Sequence, residues 1–282
     1  MTKPCGGWVP LREGITYYEL WNPDAAGPWV GLIHGFSVPS FVWHRTAPAL
    51  AEAGLRVLAL DLYGRGASGK PRGPYTRARF VQQVIELEAA LGISVAAWVG
   101  YSMGGPIAAG VLAQGHGYAG VFIAPVVTGA VVPWAVRLTG LPVVGPWLMQ
   151  RFGPARMARG IRQEFQGRVD EAYVRRYLAQ LADPGFLRAL AETVRAGMLD
   201  DQRPVYQALA SRRVPLAAVW GEADPVVPFA QLEVLASLVP LTQRFTVPEA
   251  GHLVHYEHAD AVNAFLATFL REALSAVEGD VG

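Results

Sequence analysis

Residues 99–105 read Val-Gly-Tyr-Ser-Met-Gly-Gly, which places Ser102 between Gly100 and Gly104. An apolar run precedes this stretch and a helix-like run follows it, so the serine falls on a sharp turn from a strand into a helix. Such a turn projects the serine oxygen clear of the backbone, near the positive end of the helix. The two glycines relieve the crowding of the turn. The stretch therefore predicts a buried strand, a helix and a nucleophilic serine between them.

Short apolar runs alternate with helix-like segments on both sides of this turn, which is typical of parallel strands joined by crossover helices. Most of the runs are apolar throughout, as expected for strands covered by helices on both faces. The predicted strands are residues 29–33, 56–62, 96–101, 120–124, 216–221 and 244–247, with an additional edge hairpin strand at 15–20. The predicted helices include residues 46–53, 80–91, 103–114 and 259–273. The sequence thus predicts the α/β class with a mostly parallel central sheet.

The alternation breaks between residues 126 and 213, where prolines, tryptophans and arginine-bearing helical segments replace the strand-like runs. We interpret this segment as an inserted helical cap, or lid, on a core domain formed by residues 1–125 and 214–282. Its large apolar side chains could roof a pocket, and Trp134 and Trp147 are the candidate substrate-binding residues. The alternative is that these side chains pack the insertion onto the core.

A serine hydroxyl becomes a good nucleophile when a base accepts its proton and a carboxylate orients that base. His252 and Asp224 each follow a predicted strand, at the edge of the sheet where open α/β proteins gather their functional groups. The order serine, aspartate, histidine is the one expected for this architecture. His255 and His258 end no strand, and Glu222 is a weaker candidate for the acid than Asp224. We therefore predict a catalytic triad made of the serine, Asp224 and His252.

Attack on an ester carbonyl builds negative charge on oxygen, which two backbone N–H donors would stabilise. The amide of Met103 is one predicted donor of this oxyanion hole, and the amide of Phe36 is the other. His34 precedes Phe36 at a strand end, and we expect it to have a structural role. Asp61 also ends a strand, and we interpret it as a carboxylate that fixes its loop through Arg65 or through backbone amides.

Five stretches together resemble the α/β-hydrolase fold family, in its serine esterase and lipase-like branch: residues 34–36 (His-Gly-Phe), 61–68 (Asp-Leu-Tyr-Gly-Arg-Gly-Ala-Ser), 100–105, 221–224 (Gly-Glu-Ala-Asp) and 251–252 (Gly-His). The resemblance covers residues 28–125 and 214–270, and it implies a helical cap after the sixth strand. Haloalkane dehalogenases and epoxide hydrolases of this fold use aspartate at the position of Ser102, which argues against those activities. Ring-cleavage-product hydrolases carry a longer glycine-rich stretch where this chain has residues 36–38, which argues against carbon–carbon cleavage.

The leading functional hypothesis is a serine hydrolase that cleaves carboxylic esters with apolar acyl groups through an acyl-enzyme intermediate. Its substrate would be a small-molecule ester, as for an esterase or a monoacylglycerol lipase. The same triad could instead serve carbon–carbon bond hydrolysis, perhydrolysis or acyl transfer. A ligand-sensing protein built on the hydrolase fold is a further alternative, from a different functional class.

The charge balance argues against a nucleic-acid partner, because 24 basic residues nearly match 23 acidic ones. The arginine-rich stretch at residues 151–176 also contains acidic residues, which favours a solvated helix face over a binding patch. A single cysteine, Cys5, excludes an internal disulfide and a thiolate zinc cluster. The predicted chemistry needs neither a metal nor an organic cofactor.

The N-terminal residues have no apolar core segment typical of a secretory signal, and we expect a cytoplasmic protein. The uncharged run at residues 119–136 is interrupted by prolines and glycines, so we predict a buried strand leading into a flap and no transmembrane segment. The apolar cap leaves a weak contact with a lipid surface open. The sequence predicts no particular oligomeric state.

Overall fold

A computed structural model describes residues 3–141 and 144–279. Its centre is an eight-stranded sheet in the order β1-β2-β4-β3-β5-β6-β7-β8. The strands are β1 (Cys5–Leu11), β2 (Gly14–Trp21), β3 (Trp29–Ile33), β4 (Arg56–Leu60), β5 (Val95–Tyr101), β6 (Ala119–Ile123), β7 (Leu216–Gly221) and β8 (Gln243–Val247). The β1–β2 and β2–β4 pairs are antiparallel, and the remaining pairs are parallel. The predicted α/β class with a mostly parallel sheet is confirmed.

Helices cover both faces of this sheet. Those outside the insertion are α1 (Ala47–Glu52), α2 (Arg77–Leu91), α3 (Gly104–Ala113), α9 (Gln231–Leu238), α10 (Val254–Glu257) and α11 (Ala259–Gly279). One hydrophobic cluster contains Phe80 of α2 and Leu112 of α3, while a second contains Leu50 of α1 and Leu266 of α11. Each large apolar side chain buried there stabilises the fold by about 1.5–3 kcal/mol. The sheet therefore separates two cores.

Local sequence explains why α2 begins and ends where it does. The Thr76 side chain accepts a hydrogen bond from the amide of Arg79 at 3.2 Å, which caps the first turn. At the other end, Gly92 adopts a left-handed conformation with φ of 64°, which terminates the helix. The helix thus starts three residues before the predicted position 80 and ends at the predicted residue, Leu91.

Two strand predictions need correction near the edge of the sheet that β1 forms. The strand predicted at 56–62 ends at Leu60, because the amide of Leu62 donates to the imidazole of His34 and not to a neighbouring strand. The segment predicted as an edge strand at 15–20 lies inside β2, which is flanked on both sides. The edge position belongs to β1, the other arm of the hairpin.

The segment between β6 and β7 is helical. It contains α4 (Trp134–Arg137), α5 (Val144–Gln163), α6 (Glu171–Ala179), α7 (Pro184–Arg195) and α8 (Arg203–Ala210). The last of these helices packs onto the core, since Val205, Tyr206 and Leu209 belong to the same cluster as Leu112. The division at residue 213 into core and cap stays a prediction. Among the described helices, none combines the length and the apolarity that crossing a bilayer requires.

Candidate active site

Ser102 occupies the turn that joins β5 to α3, and its backbone is strained. Its φ of 54° lies in the left-handed region, which non-glycine residues seldom adopt. A Cβ atom on Gly100 would lie 2.4 Å from the carbonyl oxygen of Gly104, and one on Gly104 would lie 2.2 Å from that of Ile33. Only glycine fits at both positions, so the sequence around the serine is what permits this tight strand-to-helix turn.

A chain of hydrogen bonds links the serine to two residues far away in the sequence. The Ser102 hydroxyl lies 2.9 Å from Nε2 of His252, and Nδ1 of His252 lies 2.7 Å from Oδ2 of Asp224. The other oxygen of Asp224 accepts hydrogen bonds from the amides of Val226 and Val227, at 2.8 and 2.9 Å. The serine, histidine and aspartate are all buried. The structure thus brings together the three residues that sequence reasoning named as a triad.

Electrostatics favour the protonated form of His252. Burial is the strongest influence and lowers its pKa, but the charge of Asp224, their hydrogen bond and the charge of Glu164 together outweigh it. The pKa of His252 is therefore raised. A raised pKa makes the imidazole a stronger base, which suits a group that must take the proton of a hydroxyl.

The two predicted oxyanion donors lie beside the serine. Met103 directly follows it and occupies the position before the first residue of α3, where helix amides have no partner within the helix. Phe36 belongs to the loop after β3, and a Cβ atom on the neighbouring Gly35 would lie 3.2 Å from the Cβ atom of Ser102. In the described part of the chain, neither amide donates to a protein acceptor. Both donors are available to a ligand at this position.

His34 ties the oxyanion loop to the end of β4. Its Nδ1 donates to the carbonyl of Gly35 at 2.8 Å, and its Nε2 accepts from the amide of Leu62 at 2.9 Å. Burial, assisted by the charge of Arg65, lowers its pKa to about 3. A neutral histidine with both nitrogens engaged has the structural role that we expected for it.

Asp61 fixes its loop through backbone amides. Its carboxylate accepts from the amides of Ser40 and Ala67, each at 2.8 Å. Backbone amides, and not Arg65, are therefore the hydrogen-bond partners of the Asp61 carboxylate among the described residues. Arg65 instead donates to the carbonyls of Phe36 and Tyr63 and to the hydroxyl of Thr193.

A cavity of about 850 Å³ leads to the serine. Ser102, His252 and Phe36 lie among its lining residues, together with side chains of α4 and α5. Trp134 lines the cavity and is also strongly exposed. The predicted contact residue Trp147 is absent from the described lining, and its ring lies 6.1 Å from that of Phe152, which does line the cavity. The structure thus places Trp134 in the cavity lining and Trp147 beside a lining residue.

Comparison with known proteins agrees with this geometry. The model of the Alpha/beta hydrolase family matches residues 32–265. The chain belongs to the alpha/beta hydrolase family.

Relatives of this alpha/beta hydrolase have different names. It is 29% identical over 272 residues to the "Dihydrolipoyllysine-residue acetyltransferase component of acetoin cleaving system" of Pseudomonas putida, a match that covers 92% of this chain and 67% of that protein. The chain thus spans about two thirds of that relative's length. It is 25% identical over 265 residues to the pimeloyl-(acyl-carrier protein) methyl ester esterase of Vibrio atlanticus (strain LGP32), covering 89% of this chain and 98% of that protein.

Solved structures agree on the fold. The bromoperoxidase from Bacillus anthracis superposes with a TM-score of 0.81 at 22% identity, covering 95% of this chain and 100% of that one. At this identity the likeness shows the alpha/beta hydrolase fold alone.

The other candidates, Glu222 and His255, make no hydrogen bond to Ser102, His252 or Asp224 among the described residues. Glu222 is exposed and accepts from the hydroxyl of Thr246 at 2.9 Å. His255 is buried against Trp43 and Tyr101, and among the described residues neither of its nitrogens has a hydrogen-bond partner. Burial, together with the charge of His252, lowers the pKa of His255 to about 3.

The sequence motifs do not identify Glu164, an acidic residue in the arginine-rich stretch 151–176 that we interpreted as a solvated helix face. It follows α5 directly and lines the cavity together with Ser102 and His252. Burial, opposed by His252 and reinforced by Asp224, raises its pKa to about 7. No motif surrounds this residue, so only the orientation of α5 reveals that its carboxyl faces the site.

Proposed function

We propose that this alpha/beta hydrolase cleaves carboxylic esters with apolar acyl groups, with Ser102 as the nucleophile. The observation that carries the proposal is the hydrogen-bonded chain from Ser102 through His252 to Asp224 at the floor of an apolar cavity. In this proposal the insertion acts as a cap, since α4 and α5 contribute much of the cavity wall.

Acylation follows from the positions of the three side chains. His252 Nε2 takes the hydroxyl proton of Ser102 as the oxygen attacks the ester carbonyl carbon. The carbonyl oxygen becomes an oxyanion, which the amides of Phe36 and Met103 stabilise. When the tetrahedral intermediate collapses, the bond to the alcohol oxygen breaks and the imidazolium returns the proton to the leaving alcohol. Asp224 holds the imidazole in orientation throughout.

Deacylation repeats the same steps with water as the nucleophile. The neutral His252 takes a proton from water, whose oxygen attacks the acyl carbon. The intermediate then expels the oxygen of Ser102, which recovers its proton from the imidazolium. The products are a free acid and the restored enzyme.

The cavity supports an apolar acyl group as the substrate part that is recognised. Most of its lining side chains are apolar, Val131, Val136, Leu148 and Met149 among them, and these offer no charge to an acyl chain, whereas Arg156, Arg159 and Glu164 bring charge to one part of the wall. The methyl ester esterase from Vibrio, which matches this chain over 98% of its own length, supports ester hydrolysis as the reaction class.

Turnover of a p-nitrophenyl ester by the Ser102→Ala variant tests the proposal. We expect kcat to fall by about 10⁶-fold, since the nucleophile is removed. Ser211→Ala, at an exposed position after α8, is the matched control and should retain the parental rate. Retained turnover in Ser102→Ala would refute the assignment.

Product analysis separates hydrolysis from the other uses of this triad. With the ester, water and an added alcohol or peroxide present, we expect the free acid as the main product. A main product in which the acyl group has moved to the alcohol or the peroxide would contradict ester hydrolysis as the function. Release of a carboxylic acid from a vinylogous diketone in preference to an ester would contradict it as well.

A further inference from the structure

Exposed apolar side chains are concentrated in one short part of the insertion. Seven of the ten large apolar side chains that are exposed in the described residues fall between positions 131 and 152. We call these seven the cap rim: Val131, Trp134, Leu138, Leu141, Val144, Trp147 and Phe152. Trp134 and Trp147 are 74% and 58% exposed, respectively. A concentration of large exposed apolar side chains of this kind marks an interaction site on a soluble domain.

The segment that carries the cap rim is exclusively basic. Residues 126–163 contain five arginines and no aspartate, glutamate or lysine. Arg137 pairs with Asp200 and Arg162 with Glu171. In the described part of the chain, no carboxylate pairs with the remaining three arginines, which are Arg151, Arg156 and Arg159. All three are exposed, and Arg156 and Arg159 also line the cavity. The apolar rim is therefore accompanied by uncompensated positive charge.

The cap rim is also the mouth of the cavity that leads to Ser102. Val131, Trp134, Leu138 and Phe152 belong both to the rim and to the cavity lining. An apolar molecule that leaves a surface covering the rim would enter the cavity without crossing water. A surface that covers the rim would therefore also be the source from which substrate enters the cavity.

We propose that the cap rim docks on an anionic lipid surface, from which an apolar ester enters the cavity directly. The entry of an ester rests on the proposed function, whereas the docking does not. Tryptophan, leucine and phenylalanine flanked by arginine on a helix are the residues that lie at the boundary between headgroups and acyl chains. The uncompensated arginines match the negative charge of anionic headgroups.

A second copy of this chain fits the rim less well than lipid does. A two-fold contact between two rims would bring the arginine-rich segment of one copy beside that of the other. Because residues 126–163 contain no acidic residue, the two segments would present like charges to each other. Charge complementarity therefore favours the lipid surface.

Flotation with vesicles tests the docking. The probes are vesicles of phosphatidylcholine alone and vesicles of equal parts phosphatidylcholine and phosphatidylglycerol. We expect the full chain to float with the anionic vesicles and to bind them with a preference on the order of a hundredfold, because three arginines each contribute to the attraction. Added salt should weaken this binding. Failure of the full chain to float with the anionic vesicles would overturn the proposal.

Variants outside the cavity lining identify the surface that binds. We expect Leu141→Ala combined with Trp147→Ala to weaken binding to the anionic vesicles by at least about tenfold, and Arg151→Gln to weaken it about fivefold. The matched control is Trp8→Ala, which removes an exposed tryptophan on β1, outside the insertion, and should bind like the parent. Parental binding by the Leu141→Ala/Trp147→Ala variant would overturn the proposal. A dimer that this variant abolishes would likewise overturn it, in favour of a second copy on the rim.

The same samples separate this proposal from the proposed function. Turnover of a short, water-soluble p-nitrophenyl ester by the Arg151→Gln variant should equal the parental rate, because Arg151 is not among the described residues that line the cavity. The Ser102→Ala variant should float as the parent does. A variant that loses flotation but keeps ester turnover therefore reports on docking by the rim. A variant that loses turnover but keeps flotation reports on catalysis by the triad.

Discussion

Asp224 uses its two carboxylate oxygens for different tasks. Oδ1 accepts from the amides of Val226 and Val227, which fixes the side chain, and Oδ2 accepts from Nδ1 of His252. Because Nδ1 carries the proton in this arrangement, Nε2 is free to accept the proton of Ser102. The orientation of the carboxylate thus decides the tautomer of the base.

Substituting Asp224→Asn tests this role. With one oxygen still held by the two amides, the new NH₂ group faces Nδ1, and the proton moves to Nε2. We expect kcat for a p-nitrophenyl ester to fall by about 10⁴-fold, while the free energy of unfolding changes little. Asp201→Asn, at an exposed position paired with Arg203, serves as the control. A loss of less than tenfold would contradict the assigned role of Asp224.

The charge of Glu164 affects the pH below which activity is lost, which is the acid limb of the pH profile, because it acts on the pKa of His252. His252 must be neutral to accept a proton, so activity is present above its pKa and is lost as the pH falls through it. The carboxylate of Glu164 contributes to raising that pKa. Glu164→Gln should therefore move the acid limb of kcat/KM to lower pH.

The measurement is kcat/KM against pH for the parent and for Glu164→Gln. Glu171→Gln, which removes an exposed carboxyl paired with Arg162, is the control and should leave the limb in place. A limb that moves to higher pH in Glu164→Gln, or that does not move, would contradict the electrostatic coupling between Glu164 and His252.

The residues of the hydrogen-bonded chain were predictable, and Glu164 was not. Ser102 directly follows β5, and Asp224 and His252 lie in the loops after β7 and β8, so sequence patterns place all three at the same edge of the sheet. Glu164 and Trp147 stand on or beside a helix of the insertion, whose rotation depends on tertiary packing. Sequence patterns therefore place Ser102, Asp224 and His252 at one edge of the sheet, but they do not indicate that Glu164 lines the cavity.

At the scale of elements, the contact between α3 and β3 decides how tightly the turn at Ser102 is held. The first residue of α3 is Gly104, and a Cβ atom there would lie 2.2 Å from the carbonyl oxygen of Ile33 and 2.6 Å from that of His34. Both oxygens belong to backbone, which moves little. Any side chain at this position would push the helix away from the sheet.

Gly104→Ala should lower the free energy of unfolding by about 1–3 kcal/mol, the usual cost of forcing extra volume into a packed region. Gly160→Ala is a matched control, because a Cβ atom at Gly160 has no neighbour within 4 Å. As a glycine inside α5, Gly160 should yield a stabilisation of about 0.5–1 kcal/mol on replacement by alanine. Urea unfolding of both variants gives the comparison, and equal effects of the two substitutions would contradict the packing argument.

Strand positions were predictable because strands buried on both faces are apolar throughout, as β3, β6 and β7 are. The end of β4 was missed because a side chain replaces a strand as the hydrogen-bond partner. His34 accepts from the amide of Leu62 at that point. An apolar pattern does not show where a side chain takes the place of a neighbouring strand as hydrogen-bond partner. The predicted strand is therefore two residues longer than β4.

For the whole molecule, Arg65 connects three parts of the chain that are far apart in sequence. It is fully buried, and its guanidinium donates to the carbonyl of Phe36 at 2.9 Å, to that of Tyr63 at 3.0 Å and to the hydroxyl of Thr193 at 2.8 Å. Phe36 belongs to the oxyanion loop and Thr193 to α7 of the insertion. One side chain thus ties the insertion to the loop that stabilises the proposed oxyanion.

Arg65→Lys should break this connection while keeping the charge, because an ammonium group lacks the planar fork that reaches three separate acceptors. Each buried acceptor left without a donor costs about 1–3 kcal/mol, so the free energy of unfolding should fall by at least that amount. Turnover should fall as well, since the Phe36 amide loses the support of its loop. Arg195→Lys, an exposed substitution on α7, is the control for urea unfolding and ester turnover. If Arg65→Lys matched this control in both measurements, the insertion and the oxyanion loop would not be coupled through Arg65.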